Sequence, residues 1–371
     1  MSDRHPSEPW RTPASPGFRW PDGVRAAACF TFDVDAESPI LFDHPEAADW
    51  LDVMSHQAYG PRTGVPRLLR ILDRQGIRAT FFIPGYTAER WPVMTRSIRD
   101  AGHEIGHHGY LHEGARSAPD EITEERHLLR GLEALDAVVG VRPTGYRAPN
   151  WELSYRLPAL LARHGFSYDS GLMDADHPYL LATTPEPGAA TIVELPGHWS
   201  LDDWEPYNYL PGITGSGVIA NPDDVIARWT LELEALVEEG GLFMLTNHPF
   251  ISGRASRAAG LERLIARARE IDGLWIATAD EIAAHAMTLP LVPVVHLLHA
   301  ASPDNEPRFP SRVRLNLKVP AGAADGDRLS VTVGLRRGRR IPARQPSTRQ
   351  TKPRTRSRTR SPRNGGSQPT R

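Results

Sequence analysis

Cysteine is nearly absent from this sequence: Cys29 is the only one among 371 residues. A single thiol cannot close a disulfide within the chain, which excludes a disulfide-stapled fold and favours a reducing compartment. No apolar run is long enough to cross a membrane, and the Pro-rich, polar stretch from Met1 to Trp20 has no apolar core of the secretory type. We therefore expect a cytoplasmic protein with no membrane partner.

Phosphate-binding motifs are missing as well. No G-x-G-x-x-G sequence follows the first strand-like run, and no P-loop sequence occurs anywhere in the chain. Both motifs hold phosphates against backbone N–H groups at the start of a helix. Their absence argues against the nucleotide-binding versions of α/β folds.

Acidic side chains are missing from the last stretch of the chain, residues 336–371, which contains 13 Lys and Arg. The other 335 residues hold 30 basic and 45 acidic side chains. A segment this basic, and rich in Ser, Thr and Pro, cannot bury apolar surface, so we expect a disordered basic tail. Its arginines are not interleaved with aromatic residues that would stack on bases, so we expect no nucleic-acid partner.

Strand-like and helix-like segments alternate through most of the chain. The predicted strands are Ala26–Asp33, Arg78–Ile83, Glu104–His107, Thr144–Arg147, Phe166–Asp169, Thr191–Leu195, Gly241–Thr246 and Leu274–Ile276. The predicted helices are Val65–Gln75, Ala88–Asp100, Ala118–Val139, Ser154–His164, Pro222–Glu239, Ala255–Glu270 and Asp280–Met287. Repeated βα units indicate parallel strands joined by crossovers. The fold class is therefore α/β, either a distorted (β/α)7-8 barrel of parallel strands or an open doubly wound sheet.

The same pattern predicts how the chain is divided. Residues 1–19 are expected to form a disordered N-terminal segment and residues 20–287 the barrel. Residues 288–335 form an extension of uncertain structure, in which alternating polar and apolar residues from Arg312 to Val319 and from Arg328 to Val333 favour a hairpin. Residues 336–371 form the basic tail.

Two carboxylates stand at the end of the first predicted strand, where the apolar run from Ala26 to Phe32 leads into Asp33-Val34-Asp35. A short apolar run without alternation is typical of a buried parallel strand. Carboxylates are costly to leave unpaired near a core, so a pair at this position indicates a bound cation, a proton-transfer role or both. An isolated D-x-D would fit a solvated turn equally well, and other strand ends decide between these readings.

Histidines spaced four apart follow the third predicted strand, as His103 and His107 and again as His108 and His112. On one helical turn, imidazoles at this spacing project the same way. Two neutral imidazoles and one carboxylate form the three-ligand pattern of catalytic zinc, with coordination positions left open. Spacing alone does not choose between the pairs, although His107 is expected to close the strand and face the barrel wall.

Further strand ends carry similar groups. They are Arg147 to Trp151 after the fourth strand, His198 and Trp199 after the Thr191–Leu195 strand, and Asn247 and His248 after the Gly241–Thr246 strand. Both candidate architectures place ligands at the carboxyl ends of their strands. We therefore expect these side chains to meet on one face.

Five segments together resemble the polysaccharide deacetylase family, the fourth carbohydrate esterase family: TFDVDAES, GHEIGHHGYLHEG, GYRAPNW, HWSLDDW and LTNHP. The likeness extends from about Trp20 to His285. It is closest in kind to a branch with cytosolic peptidoglycan-deacetylase-like proteins and some cyclic-imide hydrolases. The resemblance implies a (β/α) barrel that hydrolyses a C–N bond with one divalent metal ion, for which we expect Zn2+.

The resemblance also implies roles for individual residues. It makes Asp35, His108 and His112 the metal ligands. It makes Asp33 the general base and Arg147 the residue that positions this base.

The remaining roles concern proton delivery and the oxyanion. The resemblance makes His248 the general acid and the backbone N–H near Asn150 an oxyanion donor, with Trp151 in the same substrate-facing segment. Asp202 and Asp203 compete to hold the acid, and we prefer Asp203 because it directly precedes Trp204. The family's usual Asp-Asp motif is Asp-Val-Asp here, as in the branch named above.

Aromatic residues cluster after the Thr191–Leu195 strand: Trp199, Trp204, Tyr207 and Tyr209. They would either stack on a sugar ring or pack at the rim of the barrel. The connection from Pro39 to Gly64 has little periodicity, and we expect a loop that covers the site or forms a substrate wall.

The sequence thus predicts a metal-dependent hydrolase of non-peptide C–N bonds that deacetylates an N-acetylated sugar or a related small amide. The missing export signal keeps open a hydrolase of small cyclic imides or ureides. An alternative of another class is a catalytically silent carbohydrate-binding barrel, although a silent barrel would be expected to lose the base or a ligand. The expected partner is a small-molecule or carbohydrate substrate, and a homo-oligomer is left open.

Overall fold

The computed structural model of the protein describes residues 17–215 and 217–296. Its strands are β1 Ala26–Asp33, β2 Thr80–Ile83, β3 Glu104–His107, β4 Gly145–Tyr146, β5 Tyr168–Asp169, β6 Tyr179–Ala182, β7 Thr191–Glu194, β8 Leu242–Asn247 and β9 Leu274–Ile276. Its helices are α1 Ser38–Asp43, α2 Leu51–Tyr59, α3 Val65–Gln75, α4 Gly85–Arg90, α5 Pro92–Asp100, α6 Glu121–Val139, α7 Leu157–Arg163, α8 Trp204–Tyr207, α9 Pro222–Glu239, α10 Ala255–Arg269 and α11 Ala279–Met287. The predicted hairpin and basic tail, and residues 1–16 of the predicted N-terminal segment, lie outside the described residues.

The strands form one curled sheet in the order β6-β7-β5-β4-β3-β2-β1-β8, with β9 also paired to β1. Consecutive strands from β1 to β5 are neighbours, and their pairings are parallel. A doubly wound sheet would reverse its strand order at a switch point beside the first strand. Here β1 to β5 lie side by side in chain order, without such a reversal. The predicted distorted barrel is confirmed, in the form of a half-barrel with helices outside.

The antiparallel strand β6 was not predicted. It pairs antiparallel with β7 at one edge of the sheet, and Val294 from the C-terminal side of α11 pairs with its other edge through backbone hydrogen bonds to Leu180 and Ala182. The pairing covers an edge that would otherwise present unpaired backbone groups.

One predicted helix is two helices in the structure. The segment predicted as Ala88–Asp100 forms α4 and α5, which are separated at Trp91. Pro92 lacks the N–H that would continue the first helix, and the residue before a proline is pushed away from helical angles. Trp91 accordingly has φ −125° and ψ 55°.

The connection from Pro39 to Gly64 is helical, which corrects the expectation of an irregular loop. It contains α1, a 3-10 turn at Pro45–Asp49, α2 and a π-helical turn at Gly60–Gly64. Its apolar residues pack as a small cluster of their own with the segment after α8: Ile40, Ala47, Val53 and Leu210. A role for this segment at the site stays a prediction.

A polar network lies at the amino ends of the strands, opposite the predicted site. The Glu104 carboxylate accepts hydrogen bonds from Thr80 Oγ1 (2.6 Å), Tyr168 Oη (2.6 Å) and the Asp280 backbone N–H (3.1 Å). It therefore joins β2, β3 and β5 to the start of α11, whose first turn is also closed by a capping box between Thr278 and Glu281. Burial raises the pKa of Glu104 to about 7.

We predict that this carboxyl makes the protein less stable as pH rises. The unfolded carboxyl ionises near 4.5 and the folded one near 7, so the folded state binds more protons between these values and the free energy of unfolding falls as pH increases. The free energy of unfolding of Glu104→Gln, taken relative to that of the unsubstituted protein, should therefore rise by about 2–3 kcal/mol from pH 4.5 to pH 8. Urea unfolding at both pH values measures this difference.

The control is Glu238→Gln, which alters an exposed glutamate on α9. Its unfolding free energy should follow that of the unsubstituted protein at both pH values. If the unfolding free energy of Glu104→Gln also followed that of the unsubstituted protein at both pH values, the raised pKa assigned to Glu104 would be contradicted.

Candidate active site

The predicted site residues meet in a cavity of about 150 Å³ at the carboxyl ends of the strands. It is lined by Asp33, Asp35, His108, His112, Ala148, Asn150, Trp151, Trp199, Asp202, Trp204, Glu205 and His248. Among the described residues, the non-glycine residues with positive φ are Ala36, His112, Asn150 and Trp151. All four lie at or next to lining residues, and backbone strain of this kind concentrates at functional sites.

Asp35 lies at the centre of the cavity. Its carboxylate is 1% exposed, and neither oxygen has a hydrogen-bond partner within residues 17–215 and 217–296. The imidazole Nε2 atoms of His108 and His112 approach these oxygens at 3.5 and 3.7 Å. One donor atom from each of the three side chains lies within 4.8 Å of the others. Three buried donors with this spacing can hold one cation.

The chemistry of the three side chains also fits a divalent metal ion. Burial raises the pKa of Asp35 well above its usual range and lowers the pKa of His108 to about 3, so the histidine is neutral and can act as a ligand. His108 Nδ1 donates to the Arg147 carbonyl at 2.8 Å, which leaves the Nε2 lone pair directed at Asp35. Orientation of one ring nitrogen by a carbonyl is typical of metal-bound histidine.

The backbone around Asp35 is held in place. Its carbonyl accepts hydrogen bonds from the hydroxyls of Ser38 and Thr87, both at 2.7 Å, and Val34 N–H donates to Phe82 O at 2.8 Å. These bonds stabilise the turn in which Ala36 adopts φ 50°. The carboxylate is therefore positioned by the fold before any ligand binds.

The histidine pair does not lie on a helical turn, which corrects the geometric reason given for the pair. His108 and His112 lie in a loop after β3, in which Gly109 and His112 have φ of 73° and 64°. Glu113 accepts hydrogen bonds from the N–H groups of Tyr110 and Leu111, and so holds the loop that brings the two rings to 5.0 Å.

The other histidine pair lies outside the cavity. His107 is fully buried, and its Nε2 lies 3.0 Å from the Leu128 carbonyl of α6. His103 lies in the turn before β3, where its Nδ1 accepts from Ala79 N–H. His107 thus faces the barrel wall as predicted, and the geometry separates the two pairs that spacing alone could not.

Asp33 and Arg147 form a buried ion pair beside Asp35. Arg147 is 0% exposed, and its Nη1 donates to Asp33 Oδ1 at 2.9 Å and to Thr31 Oγ1 at 2.7 Å. Its other nitrogens donate to the Ser170 carbonyl and hydroxyl. A buried charge pair is tolerated only when such additional bonds satisfy it. The second oxygen, Asp33 Oδ2, lies 3.9 Å from His108 Nε2 and faces the cavity.

His248 lies on the opposite side of Asp35, with its Nε2 3.5 Å from Asp35 Oδ2. Its Nδ1 hydrogen-bonds Asp203 Oδ1 at 2.6 Å, and Asp203 Oδ2 accepts from the N–H groups of His248 and Ser252. Burial alone would lower the pKa of His248, but the carboxylates of Asp203 and Asp202 raise it well above its usual value. The ring is therefore protonated at neutral pH in this arrangement.

Asp202 has a different set of contacts. Its Oδ2 accepts from the Trp151 indole at 3.0 Å and its Oδ1 from Trp204 N–H at 2.8 Å, whereas His248 Nδ1 is 3.6 Å away. A bridge from Asp202 to Thr246 lays this segment against β8, which brings Asp203 to the histidine.

Asp202, Asp203 and His248 also satisfy the spacing of a metal-binding group. Every carboxylate oxygen there already accepts an N–H, and Nδ1 of the histidine is bound to Asp203. Asp35, by contrast, has two oxygens without partners. The cation therefore fits the group formed by Asp35, His108 and His112 better.

The aromatic residues at the rim divide into two sets. Trp199 is 54% exposed and lines the cavity, and Trp204 lines it with its ring 5.4 Å from that of His248. Tyr207 is buried against Trp229. Trp199 and Trp204 are thus available to a ligand, whereas Tyr207 packs inside the fold.

The segment Pro149–Trp151 supplies the predicted oxyanion donor. Trp151 N–H donates to the Ala148 carbonyl at 3.0 Å. Asn150 N–H donates to no other residue in the part of the chain described, and Asn150 lines the cavity. The free donor is therefore the Asn150 amide itself.

Sequence reasoning missed three residues of this site. Thr31 and Ser170 anchor Arg147, and Glu205 lines the cavity next to Trp204. Thr31 is the first residue of the TFDVDAES segment, whereas Ser170 lies in none of the five segments. No role was predicted for either hydroxyl, because that role depends on contacts between β1, β4 and β5. Glu205 directly follows the HWSLDDW segment, and that position was the available signal.

Comparison with known proteins identifies the family. A family model described as polysaccharide deacetylase matches residues 58–168. The peptidoglycan deacetylase of Helicobacter pylori is 32% identical over 273 residues, which are 68% of this chain and 92% of that protein. The chain belongs to the polysaccharide deacetylase family. It is accordingly a hydrolase of non-peptide carbon–nitrogen bonds, as predicted.

Solved structures agree with this membership. A crystal structure of a polysaccharide-deacetylase-type protein from Mycobacterium smegmatis is 52% identical, with a TM-score of 0.74, and covers 78% of this deacetylase-family chain and 99% of its own. An allantoinase is 24% identical with a TM-score of 0.63, over 76% of this chain and 95% of its own. At that identity the allantoinase shows the shared fold alone.

None of the helices in residues 17–215 and 217–296 combines the length and apolar composition needed to cross a lipid bilayer. The predicted cytoplasmic location stays a prediction.

We predict that the Asp35 group determines metal content. Asp35→Ala and His112→Ala should each lose most of the metal bound by the unsubstituted protein, since removing one of three ligands leaves too few donors. Inductively coupled plasma mass spectrometry on zinc-loaded, dialysed protein measures the stoichiometry, and circular dichroism checks the fold. His44→Ala, at a surface histidine, is the control. Full metal content in both ligand variants would exclude these ligands.

Proposed function

We propose that this protein removes the acetyl group from an N-acetylated sugar, with a divalent cation, Zn2+, held by Asp35, His108 and His112. The observation that carries the proposal is the buried Asp35 carboxylate, whose two unpaired oxygens face the two histidines. A peptidoglycan deacetylase is among the relatives, which supports an amide on an amino sugar as the substrate. A bound cation of this type supplies an acidified water and polarises the amide carbonyl.

Asp33 is proposed as the general base. Its Oδ1 is fixed by Arg147, so Oδ2 remains to accept the proton of the attacking water. The ion pair with Arg147 holds Asp33 in place, with Oδ2 turned towards the cavity. Asp33 need not be a strong base to accept this proton, because a water at the cation site would be acidified there.

His248 is proposed as the general acid. An amine is a poor leaving group and must be protonated as the C–N bond breaks. Asp203 holds Nδ1 of His248 and stabilises the imidazolium, so Nε2 carries the proton towards the cavity. The imidazolium then donates this proton to the departing nitrogen and becomes neutral.

The Asn150 amide is proposed to bind the oxyanion. Its backbone N–H has no other acceptor in the described chain, and Asn150 is one of the residues that line the cavity. Fixed donors at the position where negative charge develops contribute strongly to catalysis. Trp151, Trp199 and Trp204 are proposed to bound the substrate beside this donor.

A substrate panel tests the function. Zinc-loaded protein is assayed on N-acetylglucosamine, chitooligosaccharides and peptidoglycan fragments, and on hydantoin as a cyclic ureide, with and without chelator. We expect acetate release from at least one N-acetyl sugar, lost on chelation and restored by zinc. Turnover of hydantoin alone would replace the proposed function with ureide hydrolysis. Binding of sugars without turnover in metal-replete protein would favour a silent barrel.

We predict that Asp33→Asn separates catalysis from metal binding. Asparagine keeps the size of the side chain but cannot accept the proton, so kcat should fall about 10²–10⁴-fold while metal content stays unchanged. Steady-state acetate assays and metal analysis of the same preparation measure both quantities. Loss of metal with the activity would show that Asp33 is a ligand instead.

A further inference from the structure

Glu205 is a carboxylate at the rim of the cavity with no partner among the described residues. It lies in α8 directly after Trp204 and is exposed at the mouth of the cavity that it lines. It forms no hydrogen bond or ion pair with another residue in 17–215 or 217–296. Burial raises the pKa of Glu205, and the charges of His248 and Arg228 act on it only through space.

The position of Glu205 associates it with the leaving group. Glu205 lines the same cavity as His248, the residue proposed to protonate the departing nitrogen, and it follows Trp204, whose ring lies 5.4 Å from that of His248. Asp202, the other carboxylate on this side of the cavity, is already satisfied by Trp151 and Trp204. Glu205 is therefore the acceptor that remains free for a substrate.

A carboxylate in this position selects by charge. A bound substrate displaces water from this carboxylate, so a substrate that brings a hydroxyl or N–H to it replaces the lost hydrogen bond, and one that brings no donor does not. A second carboxylate brought against it is repelled, and such repulsion is an effective means of specificity.

We propose that Glu205 is a specificity-determining residue that accepts a hydrogen bond from an uncharged donor next to the leaving nitrogen and rejects substrates with a carboxylate there. The proposal rests on the proposed function above. In N-acetylglucosamine the acetamido group has a free hydroxyl on the adjacent ring carbon. In N-acetylmuramic acid the same oxygen carries a lactyl group with a carboxylate. The cavity should therefore favour N-acetylglucosamine.

Two pairs of ligands, each made of a neutral compound and a relative that carries a carboxylate, test this selectivity. The first pair is N-acetylglucosamine and N-acetylmuramic acid, and the second is hydantoin and hydantoin-5-acetic acid. The variant Glu205→Gln keeps the shape and removes the charge, Glu205→Asp keeps the charge, and Glu238→Gln is the control on exposed α9 surface. We measure kcat and KM of each variant, and measure binding by calorimetry in the Asp33→Asn background.

In whichever pair the unsubstituted protein hydrolyses, its kcat/KM should be at least tenfold higher for the neutral ligand than for the anionic one. In Glu205→Gln this preference should fall about tenfold, through a higher KM for the neutral ligand and a lower KM for the anionic one, with kcat within about twofold. Glu205→Asp and Glu238→Gln should retain the preference. If Glu205→Gln lost kcat while the ratio of kcat/KM between the neutral and the anionic ligand stayed the same, the effect would be structural and the proposal would be overturned.

The two pairs distinguish failure of this proposal from failure of the function. If only hydantoin is hydrolysed, the sugar substrate is wrong, and Glu205 is judged by the hydantoin pair with the same ratio. If sugars are hydrolysed but Glu205→Gln leaves the ratio unchanged, the function stands and the role of Glu205 is wrong. If none of the four ligands binds, both proposals are contradicted.

Discussion

A buried carboxylate with no hydrogen-bond partner among the described residues is the constraint on which this site depends. The two oxygens of Asp35 are enclosed, and the imidazole Nε2 atoms of His108, His112 and His248 lie 3.5 to 3.7 Å from them. A cation bound by Asp35, His108 and His112 would compensate for the burial of this carboxylate. The elements around it explain how it is held: two hydroxyls fix its backbone carbonyl, and a loop with left-handed residues delivers both histidines. Ala36 and His112 have strained, left-handed backbone angles here, and hydrogen bonds from neighbouring hydroxyl and N–H groups stabilise the two loops.

The two sides of the cavity support the opposite proton transfers that we propose for them. On one side, a fully buried arginine is satisfied by β1 and the end of β5 and holds Asp33 by one oxygen. On the other side, Asp203 holds His248 by both its ring and its backbone. In the proposed mechanism Asp33 takes a proton and His248 gives one, and two titratable groups in such different environments are typical of acid–base catalysis.

Much of the fold could be read from the sequence. β1, β3, β9, α3 and α9 have the predicted bounds. β1, α3 and α9 were predictable because each has an apolar pattern between clear turn or capping residues. The antiparallel strand β6 escaped prediction because four residues without a marked alternation carry little signal. The helices between Ser38 and Tyr59 escaped because their packing against Leu210 stabilises them and their own periodicity does not. At the site, strand ends and motif order located the residues, but the choice of His108 over His103, and the contacts of Asp203 rather than Asp202 with Nδ1 of His248, depend on loop geometry that no spacing rule contains.

The central claim is that one cation lies between Asp35, His108 and His112. Crystals of zinc-loaded protein, measured on either side of the zinc absorption edge, test it most directly. We predict a single anomalous peak about 2 Å from an Asp35 oxygen and from Nε2 of both histidines. A peak bound instead by Asp202, Asp203 and His248, or a well-ordered site with no peak after zinc loading, would contradict the claim.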